Sequence, residues 1–68
     1  MTLQQLRYIT AVNRFRSFAK AADSCNVTQP TLSAMIVKLE EEIDIRIFER
    51  TNKSVSPTLA GEKIIRQA

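Results

Sequence analysis

Thr28-Gln29-Pro30-Thr31-Leu32-Ser33 reads as the opening of a helix. Thr28 supplies a hydroxyl that can accept one of the orphan backbone N–H groups of a first turn. Pro30 falls inside that turn, where its missing N–H costs nothing and its fixed φ is already helical. No aspartate or glutamate occurs from Ser24 to Leu39. The helix start is therefore neutral, polar and rich in small hydrogen-bonding side chains. Such a start can enter a DNA major groove and meet base edges, whereas acids there would be repelled by phosphate.

Leu32, Ile36, Leu39 and Ile43 continue from this start as a buried stripe, which predicts a helix over 28–43. Gln29, Ser33 and Lys38 lie off the stripe. Upstream, Cys25-Asn26-Val27 reads as a turn in which Asn26 best tolerates a left-handed backbone. Ser17 can cap a short helix from Phe18 to about Ser24. Ala19, Ala21 and Ala22 are small enough to let another helix cross it closely. Thr2 and Gln5 have capping-box spacing, and Leu3, Leu6, Ile9 (or Tyr8), Val12 and Phe15 form the stripe of a first helix closed by Arg14 and Arg16.

Downstream the period changes. Ile45 and Ile47 alternate with Arg46, and Phe48 follows. Thr51-Asn52-Lys53-Ser54 has turn composition, and Val55 starts a return strand that Pro57 ends. This predicts a hairpin over 46–57 with Arg50 and Lys53 near its tip. Thr58 can cap a fourth helix with Ala60, Ile64, Ile65 and Ala68 as an apolar seam. That seam still runs at Ala68 with no glycine or proline to close it, so it reads as the first part of a longer helix in a longer protein. The expected architecture is mostly α: a winged helix-turn-helix over 1–57, then the start of a linker and dimerisation helix over 58–68.

Composition narrows the function. With 68 residues, 44% hydrophobic, one Gly and two Pro, the chain holds one small core and is not disordered. It has no apolar run near the roughly 18 residues of a membrane span, and no signal-peptide start. The single Cys25 forms no internal disulfide, which fits a cytoplasmic protein. Histidine is absent, there is no glycine-rich phosphate loop, and no nucleophile stands with a base. No enzyme activity, metal or cofactor is expected. Cys25 falls at a helix C-terminus rather than an N-terminus and reads as a small apolar plug, not a redox sensor.

The net charge of +3 is unevenly placed. Arg7, Arg14, Arg16, Lys20 and Lys38 face only Asp23 in residues 1–38; Glu40, Glu41, Glu42 and Asp44 then cluster; Arg46, Arg50, Lys53, Lys63 and Arg66 follow against Glu49 and Glu62. Two basic segments around an acidic patch describe a molecule that meets a polyanion on one face. The acids read as a solvated face turned away from DNA. A winged helix used only for protein contacts is the alternative, and it would need neither the acid-free helix start nor a basic wing.

The ordered set Ser17-Phe18, Ala21-Ala22, Val27-Thr28-Gln29-Pro30-Thr31-Leu32-Ser33, Ile36, Leu39-Glu40, Phe48-Glu49-Arg50-Thr51, Thr58 and Ala60-Gly61 resembles the N-terminal domain of LysR-type transcriptional regulators. Ala21-Ala22-Asp23-Ser24-Cys25 with Gln29-Pro30-Thr31-Leu32-Ser33 is most similar to the peroxide-sensing, OxyR-like branch. The resemblance implies double-stranded DNA as partner, and a dimer or tetramer assembled through the linker helix. It also implies an effector domain beyond this chain. By position it assigns groove contacts to Gln29, Pro30, Thr31 and Ser33, a phosphate contact to Thr28, and wing contacts to Arg50 and Lys53. Gln29 can pair adenine with two hydrogen bonds. Arg50 has two readings: a phosphate contact, or a pair with Glu49 or an acid near Glu42 that pins the wing to the body. Ala34, Met35 and Val37 stand where many relatives carry Arg, Gln and Arg, and Asp44 and Asn52 where they carry Gly. Without basic residues at Ala34 and Val37 the resemblance points to more apolar reading, such as contacts with thymine methyl groups.

Overall fold

The computed structural model describes residues 2–50 and 55–67. Helix α1 spans Leu3–Phe15, α2 Phe18–Ser24, α3 Gln29–Ile43 and α4 Leu59–Gln67; strands β1 (Phe48–Arg50) and β2 (Val55–Pro57) lie between the last two. Each helix begins where a hydroxyl can close it. Thr2 Oγ1 accepts from Gln5 N at 3.1 Å while Gln5 Oε1 accepts from Thr2 N at 2.9 Å, completing the capping box. Ser17 Oγ accepts from Lys20 N at 3.2 Å, Thr28 Oγ1 from Thr31 N at 3.4 Å, and Thr58 Oγ1 from Gly61 N at 2.9 Å. Caps of this kind contribute about 1 kcal/mol each.

The helix ends use left-handed residues. Asn26 has φ 63° in the turn between α2 and α3, as its chemistry predicts. Arg16 (φ 53°) and Asp44 (φ 55°) cap α1 and α3 in the same conformation. Neither favours that region, which costs an ordinary residue about 1–2 kcal/mol. The conformation is held by the closing hydrogen bonds: Arg16 N–H donates to the Val12 carbonyl at 2.8 Å, and Ile45 N–H to the Glu40 carbonyl at 3.2 Å.

Helices α1, α2 and α3 pack on one another around Ile9, Val12, Ala21, Ala22, Leu32, Ile36 and Leu39, with Ile47 and Phe48 completing the core from the wing side. Of the expected α3 stripe, Leu32, Ile36 and Leu39 are buried, and Ile43 is half-buried against the core. The α1 stripe is corrected at both ends: Leu3 is 76% exposed and Phe15 37%, while Tyr8, Ile9, Ala11 and Val12 face inward. A strict three-residue step walks about 60° around a helix of 3.6 residues per turn, so a five-member series cannot stay on one face. In α2, Ala21 and Ala22 carry the close crossing, whereas Ala19 is exposed.

The wing is a two-stranded antiparallel sheet pairing Phe48 with Pro57, Glu49 with Ser56 and Arg50 with Val55. The turn expected over 51–54, with Lys53, lies outside the described residues. Residues 45–47 are not strand. Ile47 and Phe48 are consecutive and both fully buried, so alternation fails there. Val55 starts and Pro57 ends β2, as expected, with Pro57 paired to Phe48.

The start of α4 presses on the base of the wing. Thr58 N–H donates to the Ile47 carbonyl at 2.9 Å, and the Thr58 hydroxyl donates to the Arg46 carbonyl. Gly61 lies against the Ile47 backbone, and a Cβ there would sit 2.1 Å from the Ile47 oxygen. The α4 seam divides: Ile64 and Ile65 are half-buried against the domain's own core, whereas Ala60 is exposed and Leu59 is 81% exposed. Ala68 lies outside the described residues.

Gly61→Ala is expected to destabilise the domain by about 1–3 kcal/mol, because the added methyl meets backbone that cannot rotate away. Asp44→Gly is expected to stabilise it by about 0.5–1 kcal/mol, the left-handed penalty less the extra freedom of an unfolded glycine. Urea unfolding followed by circular dichroism reads both changes, and equal midpoints for either variant and the parent would refute the corresponding claim.

Candidate nucleic-acid interface

The face presented by α3 follows from what its other side buries. Leu32, Ile36 and Leu39 turn into the core, each at most 2% exposed, which leaves the first turn outside. Thr28, Gln29, Pro30 and Thr31 are exposed, and Ser33 is half-buried beside Leu32. Thr28 accepts from Thr31 N–H and donates its hydroxyl to Thr31 Oγ1 at 2.8 Å. The exposed first turn offers an amide at Gln29, a hydroxyl at Thr31 and a flat apolar ring at Pro30, with no acid beside them.

The acidic cluster is not the uniform solvated face its composition predicts. Glu41, Glu42 and Asp44 are exposed, but the Glu40 side chain is only 11% exposed. Its Oε2 accepts from Ile47 N at 2.7 Å and from Phe48 N at 3.2 Å, and its Oε1 accepts from Arg50 Nη2 at 3.1 Å. One carboxylate thus satisfies two backbone donors at the entry to β1 and a guanidinium within it. A spacing signal exists in the sequence: Glu40 follows Ile36 by four residues, which puts it next to the buried stripe rather than opposite. Its partners, though, lie seven to ten residues further on.

Arg50 is engaged on two sides. Besides the Glu40 pair, its guanidinium lies over the Phe18 ring, 5.0 Å from the centroid. It joins α2, α3 and the wing, which is the pinning arrangement among its two sequence readings. The position of Lys53 lies outside the described residues. Arg7, Arg14, Arg16, Lys20, Lys38, Arg46, Lys63 and Arg66 are exposed. Cys25 is half-buried and packs against the core at the end of α2, as an apolar plug would. Among the described residues, no three of His, Cys, Asp or Glu come together in a way that would hold a metal.

Three helices with the third exposed along one side, and a hairpin pinned beside it by Glu40, define a winged helix-turn-helix. The chain belongs to the lysR family of bacterial regulatory helix-turn-helix proteins, whose sequence profile matches residues 3–62. It is 46% identical over 68 residues to the hydrogen peroxide-inducible genes activator of Haemophilus influenzae, covering all of this chain and 23% of that protein. Full-length OxyR from Pseudomonas aeruginosa superposes with a TM-score of 0.92 at 46% identity, over 98% of this chain and 23% of that one. The BenM DBD in complex with benA site 1 DNA superposes with a TM-score of 0.93 at 42% identity, over 98% of this chain and 75% of that one. The chain therefore spans less than a quarter of the length of the curated relative.

Glu40→Ala is expected to cost about 2–4 kcal/mol, since it orphans two backbone donors and an arginine that is largely buried. A double-mutant cycle with Arg50→Ala, read by urea unfolding, separates these effects. The double variant should be less damaged than the two single losses added together. Strict additivity would show that Glu40 and Arg50 do not act as a unit.

Proposed function

We propose that this chain is the DNA-binding part of a bacterial transcription regulator, with α3 entering the major groove and the wing at 46–57 resting on flanking DNA. One observation carries the reading. The exposed first turn of α3 is free of acid, while Glu40, the first acid downstream, is turned away into the wing. The likeness to a domain solved on DNA supports it. Residues 1–57 form the reading unit, and 58–68 begin the helix through which two copies associate. Two copies would set their third helices in successive major grooves, about 34–36 Å apart. The exposed Leu59 supports an association face on α4. Among the described residues no helix is long and apolar enough to cross a membrane, and a regulator of this kind works in the cytoplasm as a dimer or tetramer whose effector domain lies outside this chain.

Within this reading Gln29 pairs a base edge, Thr31 and Ser33 reach base or phosphate, Thr28 reaches phosphate and Pro30 packs against the groove wall. Lys53 supplies a positive charge to the flanking DNA. Arg50 contributes by fixing the wing rather than by holding phosphate. A response to peroxide, of the kind named for the relatives, would not run through Cys25, which serves as packing.

Two measurements test the proposal, both on the full-length protein with its selected site and a scrambled duplex. Affinity should fall with salt at a log–log slope near −0.9 per phosphate contact. Gln29→Ala should lose roughly 1–3 kcal/mol of discrimination between the duplexes, while Lys53→Ala should weaken both about equally. Salt-independent binding refutes the electrostatic part. Equal loss on both duplexes for Gln29→Ala removes Gln29 as a base reader.

A further inference from the structure

The outer line of α3, opposite its buried stripe, has a chemistry that the first turn does not share. Pro30, Ala34 and Val37 follow one another at four and three residues, the spacing of a single helix face, and all three are exposed. Val37 is 39% exposed, whereas Met35 packs against the core and is removed from that face. The line from Pro30 to Val37 therefore carries no side-chain hydrogen-bonding atom, and Lys38 supplies the first cation beside it. Glu41 follows on the same side, exposed, and marks where the helix must leave the phosphates. A branched side chain at this mid-helix position has poorer helix propensity than alanine.

We infer that Ala34 and Val37 are specificity-determining residues that pack on thymine 5-methyl groups, so the half-site carries thymine where the centre of α3 meets the groove. This rests on the DNA-binding reading above and deepens it. In the major groove guanine presents two acceptors and cytosine a donor, and an aliphatic face would strip water from them and return no hydrogen bond. Thymine presents a methyl group, the one base feature in that groove an aliphatic side chain can cover with gain. Gln29 and Thr31, one turn earlier, read polar edges, so the helix divides its site into a polar first part and an apolar middle. Lys38 lies beside the apolar line and can reach the backbone that borders it.

The test begins with selection of a motif from a random-sequence duplex library by the full-length protein. Each thymine of the motif is then replaced singly by deoxyuridine, which removes only the 5-methyl group. Affinity should fall about fourfold at one or two positions per half-site, the equivalent of one buried methylene. Val37→Ala or Ala34→Ser should make the corresponding replacement silent, and Val37→Arg should shift the selected base toward guanine. Val37→Ala also improves helix propensity, so a lost response in that variant does not reflect unfolding. A selected motif in which every deoxyuridine is silent overturns this inference and leaves DNA binding intact. A deoxyuridine effect that persists in both Val37→Ala and Ala34→Ser assigns the methyl contact elsewhere and also overturns it. Failure to enrich any motif, with salt-independent binding, overturns the DNA-binding reading itself and this inference with it.

Discussion

The carboxylate of Glu40 meets the backbone of Ile47 and Phe48 with one oxygen and the guanidinium of Arg50 with the other. The placement of the wing depends on it. Two strands of three residues are far too short to stand alone, since an isolated hairpin is marginal in water even when longer. Here the hairpin is fastened at its base to the helix it must accompany. Because Glu40 belongs to α3, the wing is tied directly to that helix. Arg50 extends the tie to α2 by lying over Phe18.

Ile47 is held from both ends of its peptide groups. Its N–H is donated to Glu40, and its carbonyl accepts from Thr58 N–H at the start of α4. Its side chain is fully buried. Gly61 allows the first turn of α4 to approach that same carbonyl. One residue between α3 and β1 thus sets three relations: wing to reading helix, wing to α4, and both to the core. In a domain of this size, where a single core supplies few kcal/mol, such polar fastening replaces the missing hydrophobic area.

The same tie shapes the charge that a polyanion would meet. Glu40 is the first acid downstream of the reading turn along α3, and its charge is met by Arg50 and two N–H dipoles. The remaining acids of the cluster follow it toward the end of α3. The arginine used for this purpose is withdrawn from the set of free cations on the wing. Structure and electrostatics are therefore coupled at one ion pair: the contact that fixes the wing also meets the charge of the first acid of the cluster.

What the sequence by itself determined is what three- and four-residue spacing can encode. The four hydroxyl caps, the left-handed Asn26, the extent of α3 and its buried stripe all depend on neighbours within one turn of chain, and all are found in place. The exposed Gln29, Pro30 and Thr31 follow from that stripe, so most of the candidate site was legible too. Only the tertiary structure decided the rest. Glu40 looked like one acid of four because its donors lie across a turn of the chain. Arg50 had two possible partners until the fold brought one to 3.1 Å. Leu3 and Phe15 satisfied a helical step yet face outward, because which arc of α1 is buried depends on where α2 and α3 cross it. Gly61 and the left-handed Asp44 likewise answer to packing. Local hydrogen bonds are set by spacing along the chain, whereas burial and ion pairing are set by which surfaces meet, and that is settled only when the helices close on one core.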